Sequence, residues 1–290
     1  MRSALFALGS LALTISGCGS AETDRVPSED PALVDEAINE TVARGAFPFL
    51  YVRVEKFDGS VVYEHSAITP EFAPVPPTGE SWMRIWSMSK SVTIAVILDL
   101  EEDGVLSRSD LLTDYLPEFS NLKVLSANAD TGACDSGLES PARPITIEDL
   151  LNHNDGFYYP FTGFACLDDA MKAARLPEAT SSADLIDRIA KLSLHPDGVG
   201  EHVYGIGTTI LSLVAERATG ERFDDIVEAR LPGPLGISET LKYTLPDSVI
   251  TYPRVSGREG TLRLAKEGEL DIFGGPVPDY GSDTNIFLGG

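Results

Sequence analysis

The sequence predicts an α+β fold in which helices flank an antiparallel sheet and a helical lobe is inserted after a strongly apolar helix. Three observations support this prediction. A capped helix comes first, a pair of alternating strands follows it, and the middle of the chain is rich in helix and loop signals. The chain has 290 residues, 43% of them hydrophobic, which is enough for one large domain or a two-lobed one.

The N-terminal elements carry clear start and stop signals. A helix begins at Asp30-Pro31, where a capping aspartate precedes a proline at the first helical position, and Gly45 ends it. Residues 50–55 alternate between apolar and polar side chains, and residues 60–65 form a return strand after the Asp58-Gly59 turn. A helix followed by an antiparallel hairpin is typical of an α+β domain and not of a doubly wound parallel sheet.

The middle of the chain reads as a helical lobe. Thr146 can cap a short helix, and Ser181 or Ser182 can cap a longer one. Gly220 ends an apolar helix, and Pro232-Gly233-Pro234 stops the next. The predicted helices of this lobe cover residues 146–151, 167–175, 183–192, 207–218 and 223–231.

The most informative stretch is the apolar helix that starts near Ile85, because Lys90 is the only charged side chain between residues 85 and 98. A helix that is apolar on every side is normally buried. Ser87 lies one turn before Lys90, so its hydroxyl shares a face with the amine. Burial lowers the pKa of a lysine, and a neutral amine can accept the serine proton. The alternative interpretation is a helix cap plus a lysine that reaches solvent.

The Ser-x-x-Lys spacing is not specific by itself. It recurs at Ser120 and Lys123, which follow Pro117 and lead into a polar stretch without an apolar helix, so we expect Ser120 to lie in a loop. Tyr204 lies on a loop that leads into the apolar helix at 207–218. Taken alone, Tyr204 would be interpreted as a packing residue.

From Ser87 to Gly236 the chain resembles the class C β-lactamase-like serine hydrolases, a family that includes esterases, peptidases and penicillin-binding proteins. Each motif is modest, but their order and spacing together are specific. The motifs are Ser-Met-Ser-Lys at 87–90, Asp-Tyr-Leu-Pro-Glu-Phe at 114–119, Ile-Thr-Ile-Glu-Asp-Leu-Leu-Asn-His at 145–153 with Gly156, Tyr204, and Pro-Leu-Gly-Ile at 234–237.

The resemblance implies a β-lactamase/transpeptidase-like fold over residues 31–290 and three catalytic residues. Ser87 would be the nucleophile that accepts the acyl group, Lys90 would share or relay its proton, and Tyr204 would act as general base and acid. A neighbouring lysine cation lowers the pKa of a tyrosine from about 10, which favours that role. The family chemistry implies no cofactor.

The sequence departs from the family pattern at two points. Ile206 occupies a substrate-binding position where many β-lactamases have an asparagine that binds an amide carbonyl, which favours ester substrates unless the loop alignment is shifted by one residue. No Lys-Thr-Gly or His-x-Gly triad follows Gly236. We therefore expect an N-terminal fragment that lacks C-terminal strands of the domain, and we expect the 290-residue form to be inactive alone.

The N-terminus predicts export. Residues 1–18 resemble a lipoprotein signal, with Arg2, a short apolar run and small residues before Cys18, which would carry the lipid. Residues 19–30 would be a flexible tether. Gly19 favours the outer membrane, facing the periplasm, as the location of this bacterial lipoprotein. The alternative is an ordinary cleaved signal with an incidental cysteine.

The remaining cysteines, Cys134 and Cys166, would then lie in an oxidising compartment, where they either form a disulfide or stay as two thiols. No Cys/His spacing resembles a metal site. The net charge of −23 opposes binding to nucleic acid or anionic lipid, so membrane contact is expected only through the N-terminal lipid. The sequence gives no indication of oligomeric state.

The sequence leads to three hypotheses for function. The leading one is a secreted, lipid-anchored serine hydrolase that forms an acyl-enzyme on Ser87 and acts on small carboxylic esters. The second is a β-lactamase or a peptidase of D-amino-acid bonds, which would take an amide substrate. The third is a catalytically silent envelope protein that keeps the fold for binding.

Overall fold

The computed structural model describes residues 30–73, 75–126, 137–243, 255–265 and 273. Within these ranges helices and antiparallel strand pairs confirm the predicted α+β class. The predicted signal, the tether up to residue 29, Cys18 and Cys134 lie outside the described residues.

The N-terminal unit forms as its sequence signals predict. Helix α1 spans Pro31–Ala43, and the Asp30 side chain accepts a hydrogen bond from a first-turn N–H. Strands β1 (Phe49–Glu55) and β2 (Val61–Ile68) pair antiparallel, and the return strand begins one residue later and ends three residues later than predicted. Helix α1 packs on β2, and a small separate core joins these elements.

The strands do not form one sheet among the described residues. Besides the β1–β2 pair, β3 (Val124–Leu125) pairs with β4 (Leu138–Glu139), and β5 (Val255–Ser256) pairs with β6 (Arg263–Leu264). All three pairs are antiparallel and two-stranded. The antiparallel pairing agrees with the predicted fold class. The sequence pattern identified the partner only of β1, because apolar alternation identifies a strand's faces and not its neighbours.

The lysine-bearing helix is less buried than its sequence suggests. A 3₁₀ turn over Trp86–Met88 leads into α2, which spans Ser89–Glu102. One face of α2 is buried, while Leu98 on another face is 36% exposed. The expectation that α2 is buried on every side is wrong, since an apolar face can also line an open groove. Ala95, Leu98 and Arg230 line such a groove beside α2.

The helical lobe follows α2 and is built around one long helix. Helix α7 (Gly207–Thr219) is buried along nine consecutive residues and is the helix that the core encloses. The remaining helices of the lobe are α3 (Leu112–Tyr115), α4 (Ile147–Leu151), α5 (Ala165–Ala174), α6 (Ser182–Ile189), α8 (Phe223–Arg230) and α9 (Pro232–Leu235). Helices α2, α3, α4 and α8 pack against α7.

Most caps of the lobe follow the prediction. Thr146 caps α4, Ser181 caps α6 and Gly220 ends α7. The Pro-Gly-Pro run does not simply stop the chain but opens α9, because prolines in a first helical turn lose no hydrogen bond. Ser120 lies in a 3₁₀ helix over Pro117–Asn121 and not in a loop, although its side chain is exposed as expected.

Ion pairs fix α8 to α2. Arg230 Nη1 lies 2.5 Å from Asp99 Oδ2 and 2.9 Å from Asp103 Oδ2, so one guanidinium joins two carboxylates on the far end of α2. None of the helices in the described ranges combines the length and apolar composition needed to span a membrane.

Candidate active site

Ser87 lies in a strained turn at the start of the lysine-bearing helix. The preceding residue, Trp86, has φ +45°, a left-handed conformation that is costly for a bulky side chain. Strain of this kind costs about 1–3 kcal/mol and is concentrated at functional sites. The turn leaves Ser87 exposed at the surface. The nucleophile predicted from the sequence is therefore accessible to a substrate.

Lys90 lies directly behind this serine. Its side chain is 6% exposed, and Nζ donates a hydrogen bond to Ser87 Oγ at 3.3 Å. Burial lowers the pKa of Lys90, and Tyr204 opposes the shift by Coulombic attraction and a side-chain hydrogen bond. The amine is thus biased toward its neutral form while it touches the serine hydroxyl.

Tyr204 completes the group predicted from the sequence. Lys90 Nζ lies 5.1 Å from the centroid of its ring, and Tyr204 remains 41% exposed. Two glycines hold the loop close to the core: a Cβ on Gly205 would lie 2.2 Å from Phe157 O, and one on Gly207 would lie 2.4 Å from Asp155 Oδ2. Any larger residue at either position would displace the tyrosine loop.

A second tyrosine, which the sequence analysis missed, also contacts the lysine. Lys90 Nζ donates to Tyr159 Oη at 2.9 Å and lies 5.2 Å from the centroid of that ring. Tyr159 belongs to the consecutive aromatic residues 157–159, and nothing in that run marks which ring faces Lys90. Its distance of 69 residues from the lysine gives no periodic signal either.

His153 packs against Tyr204. Its ring centroid lies 5.0 Å from that of Tyr204, and its carbonyl oxygen accepts the Val203 N–H at 2.8 Å. Its backbone is left-handed, with φ +56°. Burial, followed by the charges of Lys90 and His202, lowers the pKa of His153 to about 4. The sequence analysis noted His153 only as part of a motif.

The turn after His153 is held by a buried carboxyl group. Asp155 Oδ1 accepts the Phe157 N–H at 2.7 Å, and the side chain is fully buried. Burial raises the pKa of Asp155 well above its ordinary value. This bond fixes the backbone between His153 and Tyr159.

Ile206, the predicted substrate-binding residue, does not face the site. Ile206 is 0% exposed and packs in the core at the start of α7, so a direct contact between its side chain and a substrate does not fit. Its apolar side chain is more stable in the core than on the loop surface.

Cys166 is disulfide-bonded, but pairing with Cys134 stays a prediction because Cys134 is outside the described residues.

The second Ser-x-x-Lys pair is not brought to the site. Ser120 and Lys123 are both exposed, and Lys123 Nζ donates to Ser140 Oγ at 3.1 Å. No group of three or more potential metal ligands occurs in the described part of the chain. The assembled chemistry is therefore a hydroxyl, an amine and two phenols, a set suited to nucleophilic acyl transfer.

The chain has curated relatives in Mycobacterium tuberculosis and in Penicillium rubens. An uncharacterized Mycobacterium tuberculosis protein is 30% identical over 208 residues, which is 70% of this chain and 49% of that protein. A lovastatin esterase from Penicillium rubens is 29% identical over 199 residues, or 65% and 48% of the two chains. The chain spans about half the length of these curated relatives.

Solved structures and the family profile agree on the fold. The unliganded simvastatin synthase from Aspergillus terreus superimposes with a TM-score of 0.63 and 22% identity, covering 86% of this chain and 64% of that one. The sequence profile of the Beta-lactamase family matches residues 34–272. With Ser87, Lys90 and Tyr204 together in this fold, the chain belongs to the β-lactamase family.

Proposed function

We propose that the protein is a serine hydrolase that forms an acyl-enzyme on Ser87 and acts on small carboxylic esters. The observation that carries the proposal is the hydrogen bond from a buried Lys90 amine to an exposed Ser87 hydroxyl, with the Tyr204 ring beside Lys90. A lone buried lysine is costly, and using it to activate a nucleophile explains its presence.

The proposed reaction has two halves. Ser87 Oγ attacks the ester carbonyl carbon while its proton passes to the neutral Lys90 amine. The tetrahedral intermediate collapses, the ester C–O bond breaks, and the alcohol leaves with a proton delivered through Tyr204. Water then attacks the acyl-enzyme with Tyr204 as base, and the carboxylic acid departs as Ser87 regains its proton.

The support for esters over amides comes from a relative. One curated relative, 29% identical to this chain, is named for its esterase activity on lovastatin. The Ile206 side chain no longer bears on this choice, because it packs in the core and not toward a substrate.

The second candidate activity is hydrolysis of β-lactams or of D-amino-acid peptides. It is favoured by the family and by a D-stereospecific amidohydrolase from Streptomyces, whose structure aligns with a TM-score of 0.56 at 20% identity. Rates on a chromogenic cephalosporin and on p-nitrophenyl butyrate, measured with the complete protein, separate the two. We expect faster ester hydrolysis; equal or faster cephalosporin hydrolysis would reverse the assignment.

The third candidate, a silent binding protein of the envelope, predicts neither activity. A covalent phosphonate adduct on Ser87 would exclude it, because the adduct requires an activated serine. Absence of both hydrolysis and adduct would make it the better description.

The proposal includes export and a lipid anchor at Cys18. It is supported by the short apolar run and the small residues that precede this cysteine. We expect the native protein to begin at Cys18 and to carry acyl mass there, with the enzyme facing the periplasm from the outer membrane. Mass spectrometry of protein from membranes tests this, and an N-terminal Met1 or an unmodified Cys18 would contradict it.

A further inference from the structure

Lys90 has a second hydroxyl acceptor that is nearer than the serine it would activate. Nζ lies 2.9 Å from Tyr159 Oη and 3.3 Å from Ser87 Oγ. Tyr159 is 6% exposed, so this bond is shielded from water, where a hydrogen bond is electrostatically stronger than at the surface. The lysine is thus held in part by a residue that lies outside the three predicted catalytic positions.

The Tyr159 hydroxyl is itself held in a fixed place. Its ring stacks on Phe161 at 5.7 Å with an interplanar angle of 14°, and it packs on Tyr204 at 5.4 Å and on Phe273 at 5.9 Å. The backbone turns tightly after it, since the Phe161 N–H donates to Tyr159 O at 2.7 Å. A ring clamped on several sides presents its hydroxyl in one direction.

A lysine side chain needs such a constraint more than most side chains. Its ammonium is a point charge on a flexible four-carbon stem with three rotatable donors. If one N–H of Lys90 is fixed on Tyr159 Oη, the orientations of its other two N–H bonds are restricted, and one of these bonds points to Ser87 Oγ. Misplacement of a catalytic group by about 1 Å can cost about 100-fold in rate.

We propose that Tyr159 is a positioning residue for serine acylation, and that its hydroxyl holds Lys90 Nζ in line with Ser87 Oγ. The inference rests on the proposed function of Ser87 and Lys90 and extends it to a residue that touches neither substrate nor nucleophile in the described contacts. Tyr159 acts through the lysine, whereas Tyr204, at the exposed side, exchanges protons with the leaving group and water.

The role has a consequence for pH dependence. The groups facing Lys90 are Tyr159, Tyr204 on the loop before α7, and His153, whose pKa the Lys90 charge helps to lower. A hydrogen bond to Tyr159 stabilises the ammonium form, so its removal lowers the pKa of Lys90 further. In a plot of Ser87 labelling rate against pH, the rise that follows deprotonation of Lys90 then moves to lower pH.

The variant Tyr159→Phe removes only the hydroxyl and keeps the ring against Lys90 and Phe161. Tyr158→Phe is the matched control, since Tyr158 is equally deep in the core but its hydroxyl bonds Leu167 O at 3.3 Å, away from the lysine. The readout is the second-order rate of Ser87 labelling by a fluorophosphonate from pH 5 to 10 in the complete protein, with the adduct located by peptide mass.

We expect Tyr159→Phe to slow labelling about 10- to 100-fold and to move the rise that follows deprotonation of Lys90 to lower pH, while Tyr158→Phe matches the wild type. Unchanged labelling in Tyr159→Phe, or equal slowing in both variants without a shift of this rise, would overturn the positioning role while Ser87 acylation stands. Absence of labelling in the wild-type protein would overturn the proposed function and this role together.

Discussion

The chain contains two Ser-x-x-Lys segments, which share their spacing and an exposed serine in a 3₁₀ turn but differ in the surroundings of the lysine. Ser87 and Lys90 share a hydrogen bond beneath a strained turn, with the lysine buried against two aromatic rings. Ser120 and Lys123 are exposed, and that lysine bonds Ser140 instead. The difference teaches that the spacing alone carries no chemistry. Desolvation of the amine and an aromatic enclosure distinguish the candidate site.

The largest expected effect on ester hydrolysis comes from replacing Ser87 with alanine, and the same change at Ser120 is its control. Ser87→Ala should reduce ester hydrolysis to the background rate, because it removes the atom that is acylated. Ser120→Ala should retain wild-type rates. Initial rates on p-nitrophenyl butyrate test both, and loss of activity in Ser120→Ala alone would invert the comparison.

Replacing the buried lysine should change both the rate of hydrolysis and the stability of the protein. Lys90→Met should lower the rate about 100-fold or more, the usual contribution of a proton-transfer group. It should also raise the free energy of unfolding at neutral pH, because it removes an amine whose protonated form is destabilised by burial and keeps an apolar stem. Rates and urea denaturation measure the two effects.

The stabilisation by Lys90→Met should depend on pH in a defined direction. Burial lowers the pKa of Lys90 below its ordinary 10.5, so the folded protein binds fewer protons than the unfolded chain below that pH. The cost of the lysine is present at neutral pH and disappears as the pH rises to 10.5. A stability gain that is equal at pH 7 and pH 10.5, or a variant with full activity, would contradict this account.

Replacing His153, which packs against Tyr204, should have a smaller effect, seen in how the free energy of unfolding depends on pH. Since burial lowers its pKa to about 4, the unfolded chain takes up a proton below its ordinary 6.5 and the folded protein does not. This group therefore reduces stability as the pH falls from 6.5 to 4. His153→Asn, which tolerates the left-handed backbone, should show a smaller loss of unfolding free energy between pH 7 and pH 4.5. An equal loss in variant and wild type would show that His153 is protonated in the folded protein.

The smallest effect is expected at the second lysine. Lys123→Met removes an exposed hydrogen bond to Ser140, so hydrolysis should stay within about twofold of the wild type and stability should change little. The same assays apply. A loss comparable to that of Lys90→Met would show that the two segments are not functionally distinct.

Much of the fold was predictable because its signals are local. Asp30, Thr146, Ser181 and Gly220 each mark a helix end within one turn of the residue concerned. The partial exposure of α2 and the β3–β4 and β5–β6 pairings were not predictable in the same way. Both depend on which distant elements pack against a given face, and apolar patterning does not specify the neighbour.

The candidate site was likewise predictable where its contacts are local in sequence and not where they join distant residues. The meeting of Ser87 with Lys90 follows from one helical turn, and the resemblance to a family brought in Tyr204. Tyr159 was missed because its contact with Lys90 joins positions 69 residues apart. Ile206 was misplaced because a loop sequence does not show which side chain turns into the core.

The central claim is that Ser87 is the acylated nucleophile, and the most direct measurement is a peptide map of the wild-type protein after reaction with a fluorophosphonate. The account predicts a single adduct on the peptide containing Ser87, with no adduct on Ser120 and no adduct anywhere in Ser87→Ala. An adduct at Ser120, or persistent labelling of Ser87→Ala, would contradict it.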